Sequence, residues 1–201
     1  MSAVEFSAVL LAGGRSRRMG RDKALLPMPG DGRVLWQRQL EDVLHPLRPA
    51  ELFLSGPARD GLPKDITILP DVSPEEQLGP LAGIAAALSA MRTPLLIVLA
   101  IDLPLMTAEF FRDELLPHCR SRKGTVPCGE DGFFEPLAAI YPRECHALAS
   151  AQLRNHADRS LQSFVRAARD EGLVALFPIT ESNAPLFANW NTPEDLNKRP
   201  T

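Results

Sequence analysis

The sequence predicts an α/β fold in which a mostly parallel central sheet is flanked by helices on both faces. Short apolar stretches rich in Val and Leu alternate along the chain with longer stretches of helical periodicity, and this alternation is typical of a parallel sheet. Residues 95–101 are apolar throughout, as expected of a strand that is covered on both faces. The chain has 201 residues, of which 45 % are hydrophobic and 23 % are charged. These proportions fit one globular domain with a sizeable core.

Each predicted element has a local reason. The first strand ends at Ala12-Gly13-Gly14, where paired glycines interrupt an apolar run. Gly79-Pro80 marks a helix start, because proline suits the first helical position. Thr107 is expected to cap the helix after the most apolar strand. The turn at 129–132 joins two strands that form a small antiparallel addition to the sheet. In chain order, the predicted elements are strand 6–11, helix 34–47, strands 51–55 and 66–69, helix 80–91, strand 95–101, helix 107–118, strands 125–127 and 137–141, helices 143–154 and 161–171, and strand 173–179.

The net charge and the cysteines narrow the classes of function. A net charge of -3 argues against a nucleic-acid-binding protein, because such domains are usually basic. The longest apolar stretch, residues 94–105, contains Asp102 and is far shorter than the ~20 residues that span a bilayer. Cys119, Cys128 and Cys145 are an odd number without CxxC spacing, which favours reduced thiols over disulfides or a zinc site. We therefore expect a cytoplasmic protein that binds neither nucleic acid nor membranes.

The loop after the first strand is the first candidate site. It matches neither the GxGxxG dinucleotide fingerprint nor the GxxxxGK[ST] P-loop. Gly13-Gly14 would nevertheless let backbone N–H groups approach an anion at the carboxyl end of a strand. Residues 15–23 carry five basic side chains against one acid, so a concave site there would attract a triphosphate. The alternative is a solvated basic turn.

Asp102 is the second candidate site. It follows the most apolar strand directly, where open α/β sheets bind ligands. Mg²⁺ is commonly held by one or two carboxylates together with substrate phosphates and water. Asp102 therefore suits a magnesium-bound nucleotide, and the alternative is an acid that accepts hydrogen bonds from its own turn, Leu103-Pro104.

Residues 10–26 (LLAGGRSRRMGRDKALL) resemble the opening signature of the molybdenum cofactor guanylyltransferases, the MobA family. That signature can be written LAGGxSxRMGxDK, and every fixed position is matched here. The resemblance extends over essentially the whole chain and implies a Rossmann-like nucleotidyltransferase fold. Further matches, in chain order, are Leu69-Pro70-Asp71, residues 79–84, Asp102-Leu103-Pro104, Glu135-Pro136-Leu137 and residues 189–196.

The resemblance implies transfer of GMP from GTP to the terminal phosphate of molybdopterin, which forms molybdopterin guanine dinucleotide and pyrophosphate. It implies that the nucleotide is bound by the backbone of Leu11, Ala12 and Gly13, the phosphates by Lys23, and Mg²⁺ by Asp102, and we expect Gly14 to belong to the same nucleotide-binding loop. Asp71 would belong to the GTP site, although an acid that caps its own loop is the alternative reading. Asn189 and Asn191 resemble asparagines on the pterin side, and ordinary turn residues before Thr192-Pro193 are equally consistent. Ser55 stands roughly where many members carry an asparagine, which weakens the transfer of a binding role to it.

The expected mechanism follows from charge. The attacking phosphate monoester is already anionic at neutral pH, so no Ser-His-Asp or Cys-His nucleophile is required. Positioning and electrostatics supply most of the catalysis of phosphoryl transfer. We expect Asp102 to hold Mg²⁺ while Arg18 and Lys23 bind the β- and γ-phosphates beside the N–H groups of Gly13 and Gly14.

The resemblance also implies the extent of the domain and the partners of the protein. We expect one nucleotidyltransferase domain over residues 1–201, with a nucleotide-binding half at about 1–105 and an acceptor-binding half at about 106–201. The expected partners are GTP and molybdopterin, then molybdoenzyme apoproteins or their chaperones, and the expected state is a monomer or weak homo-oligomer. Two rival functions remain open: a relative that uses CTP or another phosphate acceptor, and a non-catalytic GTP-binding module that delivers the cofactor.

Overall fold

The computed structural model of the protein describes residues 4–13, 22–28, 30, 32–69, 78–154 and 158–190. The strands are β1 (Phe6–Leu11), β2 (Glu51–Ser55), β3 (Ile66–Leu69), β4 (Leu95–Ala100), β5 (Gly124–Cys128), β6 (Ala138–Pro142) and β7 (Val174–Pro178). The α-helices are α1 (Leu35–Arg38), α2 (Pro80–Ala90), α3 (Cys145–Arg154) and α4 (Leu161–Asp170). Further helical segments are π-helical at Gln39–Leu44 and Phe110–Leu115 and 3-10 at Lys23–Leu25, His45–Leu47, Leu116–His118 and Ala184–Phe187.

The seven described strands form one sheet in the order β3-β2-β1-β4-β6-β5-β7. Strand β6 runs antiparallel to both β4 and β5, whereas the other neighbouring pairs are parallel. The predicted α/β fold with a mostly parallel sheet is therefore confirmed. The antiparallel component is β6, which lies inside the sheet between β4 and β5.

Strand β4 shows why the sheet needs a cover on both faces. Its six residues are all buried. Leu95, Ile97 and Leu99 pack into one apolar cluster, and Leu96 and Val98 pack into a second cluster on the opposite face. Burying each side chain of this size stabilises the fold by about 1.5–3 kcal/mol. Residues of α1 and the two π-helical segments join the first cluster, and residues of α2, α3 and α4 join the second.

The predicted helix caps are present in the structure. Gly79 has φ +72° and is followed by Pro80 at the first position of α2. The Phe110 N–H donates to Thr107 Oγ1 at 3.2 Å, which satisfies one of the N-terminal amides that a helix leaves without a partner. The predicted helix over residues 34–47 is a succession of α1, a π-helical segment and a 3-10 turn. None of the helices in the described part of the chain has the length and apolar character needed to cross a membrane.

All three cysteines are free thiols. Cys119 and Cys145 are buried. Burial raises the pKa of the Cys145 thiol to about 12, and the neighbouring Glu144 and Glu171 carboxylates act in the same direction. Cys145 is fully buried and packs into the second apolar cluster.

Candidate active site

The carboxyl ends of β1, β2 and β4 meet at one edge of the sheet. Leu11 at the end of β1 is in register with Ser55 at the end of β2 and with Ala100 at the end of β4. The Ile101 N–H donates to the Leu11 carbonyl at 3.0 Å, so the loops after β1 and β4 start side by side. Open α/β sheets bind ligands at this edge.

Lys23 and Asp102, which the sequence placed in two separate candidate sites, contact each other. Lys23 Nζ lies 3.5 Å from Asp102 Oδ2, and the two side chains are 16 % and 27 % exposed. The contact is longer than a close hydrogen bond, and the Asp102 side chain keeps part of its surface exposed, so its carboxylate can still accept another cation. The contact brings one ammonium group and one accessible carboxylate to the same point of the sheet edge.

The Asp102 carboxylate fits the donor chemistry of Mg²⁺. It is a hard oxygen donor, its side chain remains partly accessible, and one carboxylate is enough when phosphates and water complete the coordination. Among the residues that the structure describes, there is no group of three or more His, Cys, Asp or Glu side chains that could hold a metal on its own.

Two side chains at the junction of α1 and the π-helical segment hold the turn that follows Asp102. Gln39 Nε2 donates to the Leu103 carbonyl at 2.6 Å, and the Arg38 guanidinium donates to the Pro104 carbonyl. The Gln39 side chain is fully buried. The π-helical geometry begins at Gln39, at the point of these contacts, and such local departures from the α-helix often occur at functional sites.

The C-terminal part of the described chain reaches the same turn. The Trp190 N–H donates to the Asp102 carbonyl at 3.0 Å, and the Trp190 side chain is buried. Asn189 precedes it directly and is exposed, so one predicted acceptor-binding residue lies at the edge of the site.

Close packing of backbone shapes the loop after β1. The Ala12 N–H donates to the Ser55 carbonyl at 2.8 Å. Gly56 has φ +148°, and a Cβ atom there would lie 2.8 Å from the Ala12 carbonyl carbon and 2.9 Å from the Gly13 nitrogen. The Ser55 hydroxyl faces α2, where a Cβ atom on Gly83 would lie 2.6 Å from it. Within the described part of the chain the Gly13 N–H has no hydrogen-bond acceptor, and it is therefore available to an anion.

Arg59 is a site residue that the sequence did not reveal. Its side chain is 4 % exposed in an ion pair with Asp22, and it also donates to the Ala12 carbonyl at 2.9 Å. Arg59 belongs to the stretch between β2 and β3, which has no periodicity that would distinguish a buried arginine from a solvated one. Gln39 was also missed, but it carries a signal: it is a polar residue four positions from both Leu35 and Val43, on the apolar face of its predicted helix.

A second carboxyl group lies near Asp102. Burial raises the pKa of Glu135, and the negative charges of Asp102 and Asp131 raise it further. The Glu135 N–H donates to the Pro127 carbonyl at 2.8 Å, which fixes the segment before β6. The carboxylate of Asp102 thus has both a cation, Lys23, and a second carboxyl group, Glu135, in its surroundings.

Four of the predicted site residues lie outside the described residues: Gly14, Arg18, Asp71 and Asn191. The described site therefore consists of the ends of β1, β2 and β4, the turn that begins at Lys23, and the segment that ends at Trp190.

The sequence of this chain is similar to a known protein family. The sequence pattern of the MobA-like NTP transferase domain matches residues 8–172. A probable molybdenum cofactor guanylyltransferase from Opitutus terrae is 38 % identical over 98 % of this chain and 96 % of the relative. A second probable molybdenum cofactor guanylyltransferase, from Pelotomaculum thermopropionicum, is 32 % identical over 97 % of this chain and 92 % of the relative.

The fold also has a solved counterpart. The crystal structure of molybdopterin-guanine dinucleotide biosynthesis protein A from Archaeoglobus fulgidus superposes with a TM-score of 0.68, covers 95 % of both chains and is 21 % identical. At that level of identity the likeness shows the fold alone.

Proposed function

This chain belongs to the MobA-like NTP transferase family, and we propose that it transfers GMP from GTP to the terminal phosphate of molybdopterin. The products are molybdopterin guanine dinucleotide and pyrophosphate. The observation that carries the proposal is the approach of Lys23 Nζ to Asp102 Oδ2 at 3.5 Å. It brings Lys23, from the loop that we propose binds phosphate, next to Asp102, the metal ligand that we propose, in a chain whose relatives are named probable molybdenum cofactor guanylyltransferases.

Asp102 is the residue that would hold Mg²⁺. When bound, the metal ion would neutralise the charge of the nucleotide phosphates and act as a Lewis acid at the α-phosphate. Gln39 and Arg38 fix the carbonyl groups of the turn after Asp102, so the carboxylate is held in position before the nucleotide arrives.

Lys23 and the Gly13 N–H are the described groups suited to the triphosphate. A lysine ammonium binds phosphate as a point charge, and hydrogen bonds to charged oxygens are stronger than neutral ones. These donors stabilise the negative charge that develops on the leaving pyrophosphate. Arg18 and Gly14 extend the same set in our proposal, because they belong to the same loop in the sequence.

The acceptor phosphate is already an anion at neutral pH, so its oxygen can attack the α-phosphate without a protein base. The work of the protein is to bring two anions together in line, which is mainly a matter of positioning. We assign nucleotide binding to residues 1–105, including Leu11, Ala12, Ser55 and Asp71. Acceptor binding belongs to residues 106–201, where Asn189 and Asn191 are its candidate contacts.

We propose that the reaction takes place in the cytoplasm. The three free thiols support a reducing cytoplasm as the site of action. GTP and molybdopterin are the proposed partners, with molybdoenzyme apoproteins or their chaperones as recipients of the product. A net charge of -3 supports no role for nucleic acid, and a monomer or weak homo-oligomer is the proposed state.

The decisive test incubates the protein with molybdopterin, Mg²⁺ and each of the four NTPs in turn and measures pyrophosphate. Release with GTP alone supports the proposal, and release with CTP alone assigns the chain to cytidylyl transfer. Tight GTP binding without release would identify a delivery module. Lys23→Ala should lose turnover, whereas Lys123→Ala should not. The exposed Lys123 directly precedes β5, and it therefore lies at the amino end of a strand, whereas the site lies at the carboxyl ends of β1, β2 and β4.

A further inference from the structure

A buried arginine lies beside the site in the segment between β2 and β3. Arg59 Nη1 donates to Asp22 Oδ2 at 2.6 Å, and Nη2 donates to the Ala12 carbonyl at 2.9 Å. Its side chain is 4 % exposed, although Ala58 and Asp60 on either side are exposed. Burying a charged group is unfavourable unless partners compensate it, so these two contacts are what keep the guanidinium in this position.

Asp22 uses its two carboxylate oxygens for different partners. Oδ1 accepts from the Ala24 N–H at 3.0 Å and caps the 3-10 turn Lys23–Leu25, while Oδ2 accepts from Arg59. The side chain that begins the turn is therefore fastened to the segment after β2. Lys23 is the next residue, and its Nζ is the atom that lies 3.5 Å from Asp102 Oδ2.

The guanidinium connects three separate parts of the chain. It binds the backbone at the end of β1 through Ala12, the turn that carries Lys23 through Asp22, and it comes itself from the segment after β2. A planar guanidinium can donate to two acceptors in fixed directions, whereas a lysine ammonium acts as a compact point charge on a flexible stem. The fork therefore fixes the Lys23 turn relative to the loop after β1.

We propose that Arg59 is a positioning residue for the triphosphate: acting through Asp22, it holds the Lys23 ammonium where the β- and γ-phosphates of GTP bind. The inference rests on the proposed function. It predicts a difference between two nucleotides, because Lys23 would bind the β- and γ-phosphates, which GTP has and GMP lacks. Loss of Arg59 must therefore weaken the binding of GTP and leave the binding of GMP nearly unchanged.

The test is isothermal titration calorimetry with Mg²⁺ and either GTP or GMP on wild type, Arg59→Gln, Arg59→Lys and a control. Arg122→Gln is the matched control, because Arg122 is 78 % exposed in its ion pair with Glu144 and precedes β5, away from the site. We expect Arg59→Gln to raise the Kd for GTP about 10- to 100-fold, the range of a lost charge-assisted hydrogen bond. The Kd for GMP should change less than about twofold, and Arg59→Lys should fall between wild type and Arg59→Gln.

Asp22→Asn provides a second route if Arg59→Gln does not fold. The amide oxygen can still cap the Lys23–Leu25 turn, but the charge that pairs with Arg59 is gone. It should show the same selective loss of GTP binding. In the double variant, Arg59→Gln should add little to this loss of GTP binding, because both changes break the same Arg59–Asp22 contact.

The outcomes separate the inference from the proposed function. If wild type prefers GTP over GMP but Arg59→Gln weakens both equally, or weakens neither, Arg59 has only a structural role and the inference is overturned. If wild type itself binds GTP no more tightly than GMP, the triphosphate site is absent, and both the proposed function and the role of Arg59 fail.

Discussion

The buried amide of Gln39 leads to a prediction in which stability and activity move apart. Methionine is similar in length to glutamine but has no amide group. The variant Gln39→Met therefore loses the hydrogen bond to the Leu103 carbonyl, which is worth about 1 kcal/mol. That carbonyl keeps a second donor, the Met106 N–H at 3.2 Å. The change also removes Gln39 Oε1, a buried acceptor without a donor among the described residues, whose burial costs about 1–3 kcal/mol. The free energy of unfolding should therefore stay level or rise by up to about 2 kcal/mol.

Catalysis should respond in the opposite direction. The Leu103 carbonyl belongs to the turn that carries Asp102, and Gln39 is one of the side chains that fix it. A displacement of about 1 Å in a reacting group can lower the rate on the order of 100-fold. We expect kcat/KM for GTP, measured by pyrophosphate release, to fall about 10- to 100-fold, while chemical denaturation reports no loss of stability.

A matched control isolates the position of the amide. Gln152 Nε2 also donates to a backbone carbonyl at 2.6 Å, that of Ser160, but on the exposed side of α3. Gln152→Met should leave kcat/KM unchanged. The reasoning is refuted if Gln39→Met lowers the free energy of unfolding by more than about 2 kcal/mol, above the hydrogen-bond value, while kcat/KM stays at the wild-type level.

Three further variants test other parts of the structure. Gly56→Ala places a Cβ atom 2.8 Å from the Ala12 carbonyl carbon at φ +148°, so denaturation should show a loss of about 1–3 kcal/mol and calorimetry should show weaker GTP binding. Asp102→Asn keeps the shape of the side chain and an oxygen that can accept from Lys23 Nζ, but it removes the charge, so turnover in a Mg²⁺ titration should fall on the order of 100-fold or more while the protein remains folded. Glu51→Gln tests pH dependence. Burial alone would raise the pKa of Glu51, but hydrogen bonds from Arg92 and Ser7 lower it below 4.5. The unfolded chain therefore takes up this proton at a higher pH than the folded one, and the stabilisation present at neutral pH is lost as the pH falls through and below that value. Glu51→Gln should reduce the acid sensitivity of Tm.

For each of these three predictions, one result would contradict it. Wild-type GTP affinity in Gly56→Ala would mean that the loop after β1 adjusts without consequence for binding. Unchanged turnover in Asp102→Asn would remove the metal assignment. A Tm curve for Glu51→Gln that falls in acid as steeply as wild type would show that other carboxylates account for the acid transition.

The elements of the fold were predictable where the pattern is local. Strand β4 is fully apolar, and its alternate residues enter two different clusters, so its depth in the sheet follows from composition. The cap at Thr107 and the proline start of α2 follow from single residues. The place of β6 between β4 and β5 did not follow, because strand pairing is decided by contacts far apart in sequence. The contacts of Arg38 and Gln39, where the helix changes from α to π geometry, are likewise made with carbonyl groups 66 and 64 residues further along the chain.

Some residues of the candidate site could likewise be predicted from the sequence, and others could not. Lys23 and Asp102 stand in recognisable motifs at strand ends, and they meet because β1 and β4 are neighbours. Arg59 has no motif, since its importance comes from the depth at which it is buried and from its partners Asp22 and Ala12. Single-sequence patterns report which residues face a core, but they do not report which loop side chains bridge two other loops.

The most direct measurement of the central claim is the anomalous diffraction of Mn²⁺ in a crystal of the protein with a non-hydrolysable GTP analogue. Mn²⁺ replaces Mg²⁺ at oxygen sites and marks its position without ambiguity. We predict an anomalous peak bound to the Asp102 carboxylate, with the β- and γ-phosphates against Lys23 Nζ. A peak away from Asp102, or a triphosphate that does not contact Lys23, would contradict it.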